Sequence, residues 1–420
     1  MDDADILIRN AVLRRGMGPV SITVRAGRIA AIHPPHPHPL PQGEREEEGL
    51  HEIDAQGRLV TESFVNPHLH LDKVYTLQML DDEALRAYHG GSMEDAAKAI
   101  DLASRVKARY DRTWIIENVR NALREAVRFG TTHLLALADV DTKARLEGVA
   151  ALIQARDEFK GIIEIRVVAF PQDGVVREPG AAELVREAMA MGADVVGGIP
   201  WIEPTERDMQ RHIDEMFNIA REFDRPVAML VDDAGRPELR TLEMMARRAI
   251  EQGWEGRVLA HHARAMALYD DWNLEQLVRL LKKARLGIVT DPHTGPLHVP
   301  VRTLLKEDVL VCLGQDDISD AYYPYGRNNM LEVAFLASHL LWMTTSSDME
   351  KLYDMITVDA ARAMWIQDHK LEVGAPADLV VLNAPSVLEA LRSHEAPAYV
   401  ISRGKIVAEA GVNRTSADQS

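Results

Sequence analysis

Short apolar runs alternate with longer amphipathic stretches through the middle of the chain. Eight runs rich in Val, Ile, Leu and Ala recur there, such as "THLLALADVD" and "IIEIRVVAFPQ". Between them lie stretches with helical spacing. In one of these, Val119, Leu123 and Val127 fall on one face and Gly130 follows the last turn. Nearly continuous apolar runs are typical of parallel strands covered on both faces. Eight strand–helix units predict an α/β fold with a (β/α)8 barrel.

A doubly wound parallel sheet is the alternative architecture for this pattern. It is disfavoured because no Gly-rich dinucleotide-binding turn follows the first strand. The two ends of the chain differ from the middle and resemble each other, with short β-type runs separated by Gly turns. Between Ile32 and Leu50, "HPPHPHPLPQGEREEEG" predicts a surface loop, and its alternation of His with Pro disfavours a metal site.

Composition narrows the class of protein. The net charge is −17 and no strongly basic block exists, which disfavours a nucleic-acid partner. The single cysteine, Cys312, excludes a disulfide framework and suits a reducing compartment. The N-terminus does not have a signal-peptide pattern, and no run of 18 apolar residues suggests a membrane span. We therefore expect a cytoplasmic protein, and we also expect a homo-oligomer.

Ionisable and polar residues end nearly every predicted strand. Barrel enzymes place their chemistry at the carboxyl ends of the strands, where these residues would meet at one rim. A barrel with a purely structural role has no need of such a rim. The strand-end residues are His68, His70, Gln172, Asp173, Asp232, Asp233, His261, His262, Asp291, His293, Gln315, Asp316 and Asp317.

The spacing of His68 and His70 indicates a metal site. Residues i and i+2 of a strand face the same way, so the two imidazoles project together. A carboxylate from another strand, for which Asp316 is the candidate, would complete a mixed N/O site for zinc or iron. The alternative is an exposed polar turn at His68 and His70, with Asp316 capping a loop.

Several motifs carry a resemblance to a known family. "NPHLHLDK", "VVAFPQDG", "HHARAM", "LGQDDISDAYYPYGRNNMLEV" and "GAPADLVVL" together resemble the amidohydrolase superfamily, in its branch of cytosine deaminases and N-isopropylammelide amidohydrolases. The resemblance implies a barrel over residues 61–369 and a β-sandwich built from residues 1–60 and 370–420. It also implies hydrolysis of a non-peptide C–N bond of a small nitrogen heterocycle, by deamination or dealkylamination, with metal-activated water.

The resemblance also implies roles for individual residues. His68, His70 and Asp316 match metal ligands, and Asp316 also takes a proton from water. The other matches are the water-orienting His262 and three residues that would hold the ring, Gln172, Lys73 and Tyr322. Asp233 stands at the position of the family's proton-shuttling glutamate.

Two leucines depart from the family pattern. Leu230 stands where the family has a strand-five histidine ligand, and Leu137 where it has a histidine at the end of strand two. A missing nitrogen ligand weakens metal binding unless another group replaces it. Both leucines are expected to line an apolar substrate pocket, which favours an alkyl substituent or a larger ring.

Three hypotheses follow from the lost ligand. In the first, one zinc or iron ion stays bound, with Asp232 or Asp233 recruited to it. In the second, a metal-free or metal-depleted enzyme uses Asp316 and His262 as an acid–base pair. In the third, the protein is an inactive ligand-binding homologue.

Three further residues near the predicted site have other possible positions in the fold. His261 is expected to pack behind the barrel. Lys73 could be a surface lysine paired with Asp72 rather than a substrate contact. His293 is a weaker candidate for the pocket lining.

Overall fold

A computed structural model describes residues 5–34, 50–79 and 104–410. Its largest sheet has eight strands in sequential order, and each pair of neighbours is parallel. These strands are β6 (Phe64–Leu69), β7 (Thr131–Asp139), β8 (Glu164–Phe170), β9 (Val195–Gly198), β10 (Val227–Val231), β11 (Val258–His262), β12 (Gly287–Thr290) and β13 (Val311–Leu313). The eight predicted strands are therefore confirmed.

Backbone hydrogen bonds just beyond the first and last strands close the barrel. His70 N donates to the carbonyl of Asp316 at 2.9 Å, and Asp316 N donates to the carbonyl of His68 at the same distance. Leu69 and Asp316 form an isolated parallel bridge. Barrel closure thus brings the carboxyl ends of β6 and β13, which carry His68, His70 and Asp316, next to each other.

Helices surround the barrel and cover its outer face. The predicted helix is confirmed as α1 (Arg112–Arg128), which buries Val119, Leu123 and Val127 and is capped by Asp111. Among the described residues, the other α-helices between barrel strands are α2 (Glu147–Glu158), α3 (Ala181–Met191), α4 (Glu206–Phe223), α5 (Thr241–Glu251), α6 (Asp271–Ala284) and α7 (Val301–Lys306). After β13 follow α8 (Met330–Leu340), α9 (Ser346–Asp354), α10 (Val358–Ala363) and, near the C-terminus, α11 (Val387–Ser393).

The barrel strands have two buried faces, as the continuous apolar runs predict. Met229 and Ala260 belong to the core shared with the helices, whereas Leu230 and Leu259 belong to a second core that also contains Leu137. Side chains alternate along a strand, so the second core is the barrel interior. Both departures from the family pattern, Leu137 and Leu230, therefore point inward.

The chain ends form two four-stranded sheets. One contains β1 (Ile6–Leu13), β2 (Met17–Arg25), β3 (Arg28–His33) and β4 (His51–Asp54); the other contains β5 (Val60–Glu62), β14 (Leu379–Val381), β15 (Tyr399–Ser402) and β16 (Lys405–Glu409).

Apolar side chains from both ends of the chain form one cluster, with Ile8 and Ile22 packed in the same core as Leu379 and Ile401. The division at residues 60 and 370 remains a prediction. Most of the predicted proline-rich loop, residues 35–49, lies outside the described residues. Among the described residues, no helix is long and apolar enough to cross a membrane.

Candidate metal-dependent active site

The three predicted metal ligands meet where the barrel closes. The ligating atoms of His68, His70 and Asp316 all lie within 4.8 Å of one another, and all three side chains are buried. Asp316 Oδ1 is 3.0 Å from His68 Nε2 and 3.9 Å from His70 Nε2. Two imidazole nitrogens and one carboxylate oxygen form a donor set that suits zinc or iron.

The protonation of His70 and of Asp316 also suits a divalent ion. Burial, helped by the charges of Lys73 and His68, holds the pKa of His70 well below its usual value, so the ring is neutral. Burial alone would raise the pKa of Asp316, but His262 and His68 hold it well below the usual range. Neutral imidazoles and an ionised carboxylate are the forms in which these side chains bind metals.

His262 joins the group through an unusual backbone conformation. Its φ of 65° and the φ of 68° at Asp316 lie in the left-handed region, which non-glycine residues rarely adopt. His262 Nε2 lies 3.9 Å from both Asp233 Oδ2 and Asp316 Oδ1, and its Nδ1 is 3.2 Å from Asp291 Oδ2. Burial acts to lower the pKa of His262, but Asp233 and Asp316 raise it to about 9.

Asp233, the predicted proton shuttle, is held by an arginine. Arg264 Nη1 lies 2.8 Å from Asp233 Oδ1, and Arg264 Nη2 lies 3.9 Å from Asp316 Oδ2. The other oxygen of Asp233 faces His262. The arginine thus connects the two carboxylates expected to handle protons.

Asp232 does not turn toward the metal group. It is fully buried and accepts hydrogen bonds from Thr241 N at 2.7 Å, Thr241 Oγ1 at 2.6 Å and Leu242 N at 3.1 Å, at the start of α5. The hypothesis that Asp232 is recruited as a ligand is wrong in this conformation, because its oxygens are already engaged by the first turn of α5.

We predict that Asp232→Ala lowers the free energy of unfolding by about 2–4 kcal/mol and leaves divalent-metal affinity unchanged. Removing the carboxylate leaves buried backbone N–H groups without an acceptor, which costs about 1–3 kcal/mol for each group. Chemical denaturation and a chelator titration measure the two effects. Weaker metal binding in a folded variant would contradict the assignment of Asp232 to the helix cap.

The prediction that His261 packs behind the barrel is wrong. His261 Nδ1 lies 2.5 Å from His68 Nδ1, inside the barrel. Its neighbour in register on β10 is Leu230, the position of the missing ligand. Strand alternation explains the direction, since Leu259, two residues earlier, also lies in the interior core. His261 therefore fixes the ring of His68 from the side opposite Asp316.

We predict that His261→Leu weakens divalent-metal binding by about 10- to 100-fold. Groups that hydrogen-bond a metal-ligating histidine fix its tautomer and ring orientation, and their loss has effects of this size. A competitive chelator titration measures the change, with the same substitution at the exposed His51 as a control. Unchanged affinity would show that His261 does not position His68.

A cavity opens beside the metal group. It contains about 450 Å³ of empty space, including space open to solvent. One wall of the cavity is apolar and consists of Ile199, Trp201 and Leu230, and Tyr322 contributes an aromatic ring. Its remaining lining residues are polar or ionisable: His70, Gln172, Asp233, His262, Asp316 and Asp317.

Asp317 brings a different kind of carboxyl group to this cavity. Burial, with the neighbouring carboxylates of Asp316 and Asp320, raises its pKa well above the usual value. A protonated carboxyl group can donate a hydrogen bond, whereas the ionised Asp316 only accepts. The cavity is therefore lined by two adjacent carboxyl groups whose pKa values are shifted in opposite directions.

Lys73 lies behind the cavity rather than on the surface. Its Nζ donates to Asp139 Oδ1 at 2.9 Å and to Gln172 Oε1 at 3.2 Å, and it lies 5.6 Å from the centroid of the Tyr322 ring. Burial opposes its charge, but Asp139 and Asp72 raise its pKa well above the usual value. The alternative of a surface lysine is wrong. In this conformation Lys73 orients Gln172 and Tyr322.

Two other candidates are placed away from the described cavity. Leu137 is buried in the barrel interior core and is not among the residues that line the cavity. His293 Nε2 donates to the carbonyl of Gln315 at 3.1 Å, and its ring packs against Tyr323. Leu230 is therefore the departure from the family pattern that contacts the cavity.

Comparison with known proteins decides the family. A sequence profile of the amidohydrolase family matches residues 51–408. The chain belongs to the amidohydrolase family. One family relative is the N-isopropylammelide isopropyl amidohydrolase of Pseudomonas sp. (strain ADP), which is 30% identical over 413 residues, covering 96% of this chain and 97% of the relative.

Two further proteins are similar to this chain over most of their length. The pterin deaminase of Rhizobium rhizogenes is 26% identical, with 93% of this chain and 88% of the relative covered. The crystal structure of 5-methylcytosine deaminase from Klebsiella pneumoniae, liganded with 5-fluorocytosine, superposes with a TM-score of 0.86 at 29% identity. That superposition covers 99% of this chain and 100% of the deaminase chain.

Sequence reasoning missed several residues of this amidohydrolase site. Asp291 was visible as a strand-end carboxylate, but nothing in the sequence paired it with His262. Arg264 follows His262 by two residues in "HHARAM", and that spacing gives no sign of its contact with Asp233. Trp201 lies after the strand-four run "DVVGGIPW", where the chain turns over the cavity.

Proposed function

We propose that this amidohydrolase removes ammonia or an alkylamine from a small nitrogen heterocycle by metal-assisted hydrolysis. The observation that carries the proposal is the convergence of His68, His70 and Asp316 beside a cavity walled by Tyr322. The relatives support the reaction class, since their names describe an ammelide amidohydrolase and deaminases of pterin and 5-methylcytosine.

His68, His70 and Asp316 would hold one zinc or iron ion. When bound, the ion would supply Lewis-acid activation of water, which lowers the pKa of the water and yields a nucleophile at neutral pH. Asp316 would accept the proton of that water at its carboxylate, which is ionised in this site. His262 would orient the water, because its Nε2 lies between Asp233 and Asp316.

The departing amine needs a proton, and Asp233 would deliver it. Its Oδ2 faces His262 while Arg264 holds its Oδ1, so one oxygen is free to exchange a proton between the water side and the ring nitrogen. An aspartate reaches one methylene less far than the glutamate implied by the family resemblance. The substrate ring would therefore bind close to β10.

The substrate ring would be held between Tyr322 and the polar edge of the cavity. Gln172 would bind an amide-like edge of the ring, oriented by Lys73. Asp317, which also lines the cavity, would form a second polar contact with the ring. The apolar wall of Ile199, Trp201 and Leu230 would contact an alkyl substituent or a fused ring of the substrate. A purely polar site would offer such a group no apolar contacts.

A metal-free reaction is the second candidate function, favoured by one observation. With a pKa of about 9 at His262 and a strongly lowered pKa at Asp316, the two side chains form an acid and a base 3.9 Å apart without any ion. In that case Asp316 would activate water alone and His262 would act as the general acid.

Amine release from a panel of heterocycles tests the proposed function. Cytosine, 5-methylcytosine, pterin and N-alkylated ammelides are each incubated with purified protein supplied with zinc or iron, and ammonia and alkylamine are quantified. We expect release from at least one of them, with a preference for an alkylated or fused-ring substrate. No release from any member, with metal bound at His68 and His70, would favour an inactive ligand-binding homologue.

A further inference from the structure

A second group of two histidines and one aspartate lies at the opposite end of the barrel. The ligating atoms of His133, His369 and Asp378 all lie within 4.8 Å of one another, and all three side chains are buried. His133 lies near the start of β7, Asp378 immediately precedes β14, and His369 lies in the segment between the barrel and that strand. The group therefore joins the amino end of a barrel strand to the chain that leads into a terminal sheet.

The hydrogen bonds of the two rings direct one nitrogen of each into this group. His369 Nε2 lies 2.9 Å from the carbonyl oxygen of Ser63, which can only accept, so Nε2 carries a hydrogen and Nδ1 is the nitrogen that a metal ion would use. His133 Nδ1 is 2.8 Å from Thr132 Oγ1. Metal-ligating histidines typically show this arrangement, in which one ring nitrogen is hydrogen-bonded to an oxygen and the other faces the metal.

The remaining nitrogen of His133 is unsatisfied. Within the described residues, His133 Nε2 is buried and makes no hydrogen bond. The nearest carboxylate oxygens are Glu164 Oε2 at 3.8 Å and Asp378 Oδ2 at 4.0 Å, which are too distant for hydrogen bonds. Ligand atoms around a tetrahedral zinc ion lie about 3.3 Å apart, so a shared ion requires these atoms, which lie within 4.8 Å of one another, to approach by up to about 1.5 Å. A bound cation would satisfy the buried nitrogen.

Two nearby arginines are positively charged and compete with a metal ion for the carboxylates around this group. Arg403 N donates to Asp378 Oδ1 at 2.7 Å, while its guanidinium Nε lies 3.5 Å from Asp378 Oδ2. The same guanidinium, which is half exposed, binds Glu164 Oε2 through Nη2 at 3.0 Å. Arg166 Nη2 also lies near Glu164, at 3.6 Å. Glu164 offsets one of these two guanidinium charges, and the 3.5 Å contact with Arg403 Nε leaves Asp378 Oδ2 able to turn toward an ion.

We propose that His133, His369 and Asp378 form a second, structural binding site for a divalent cation of the zinc type. Two nitrogen donors and one oxygen donor favour zinc over magnesium or calcium. Water would supply a fourth ligand, since Glu164 pairs with Arg403. The ion would link β7 to the segment that leads into β14. It would take no part in the reaction at the other end of the barrel.

Zinc stoichiometry tests this site apart from the active site. The double variant His68→Ala/His70→Ala serves as the background, because it removes the ligands at the carboxyl end of the barrel. We expect two equivalents of zinc per chain in the parent and one in the background after dialysis against zinc and removal of free metal. Adding His369→Gln to the background is expected to remove the last equivalent, whereas adding His51→Gln, at an exposed histidine, is not.

Thermal denaturation of the same proteins gives a second readout. Zinc is expected to raise the Tm of the background protein and to leave the His369→Gln protein unchanged, since only a protein that binds zinc in its folded state is stabilised by it. Absence of bound zinc in the folded background overturns the proposal, even if the His369→Gln protein does not fold. Retention of the equivalent by that variant overturns it as well.

Discussion

Asp316→Asn is expected to reduce turnover of the true substrate by about 10³-fold or more. The substitution removes the carboxylate that would accept the proton of water, and a well-placed general base contributes about 10²- to 10⁴-fold. It also replaces an ionised ligand by a neutral amide 3.0 Å from His68 Nε2, so metal binding weakens too. Steady-state amine release at saturating metal measures the loss.

A matched control separates this effect from the change in charge. Asp157→Asn makes the same substitution at an exposed position on α2 and is expected to leave turnover unchanged. Near-normal turnover of Asp316→Asn would remove Asp316 from the reaction, and with it both the metal-assisted and the metal-free mechanism.

Leu230→His is expected to raise divalent-metal affinity by about 100-fold, equivalent to about 3 kcal/mol. Leu230 lines the cavity together with His70, His262 and Asp316, so an imidazole there would face ligands that are already arranged. Turnover need not rise, because the leucine also forms part of the apolar wall expected to contact the substrate. A competitive chelator titration of parent and variant measures the affinity.

Leu230→Asn is the control for this gain. Asparagine introduces polarity at the same place without an imidazole nitrogen, and we expect it to leave metal affinity close to that of the parent. Equal affinity in the parent and in Leu230→His would mean that position 230 does not face the ion, and the interpretation of a lost ligand would have to be withdrawn.

The fold was predictable because its signal is repeated eight times. The barrel strands are almost entirely buried and therefore largely apolar, and the helices between them have one buried face, as in α1. The directions of His68 and His70 were predictable for the same local reason, since a strand places i and i+2 on one side. The spatial neighbours of these residues were harder to predict, because they come from distant parts of the chain.

His261 and Asp232 show where local reasoning failed. Both follow apolar runs and both precede an ionisable residue that faces the cavity, so the sequence alone gives no reason to treat them differently. In the structure, His261 enters the interior and meets His68, whereas Asp232 caps α5. The deciding factors are the strand register, which pairs His261 with Leu230, and the left-handed backbone at His262.

Metal-dependent turnover on a single sample tests the central claim most directly. Protein is treated with a chelator until elemental analysis finds no transition metal, and amine release is then followed while zinc or iron is added back. The account predicts no turnover in the metal-free sample, recovery on addition of metal, and no recovery in the His68→Ala variant. Full turnover by the metal-free protein would contradict it and would favour acid–base catalysis by Asp316 and His262 alone.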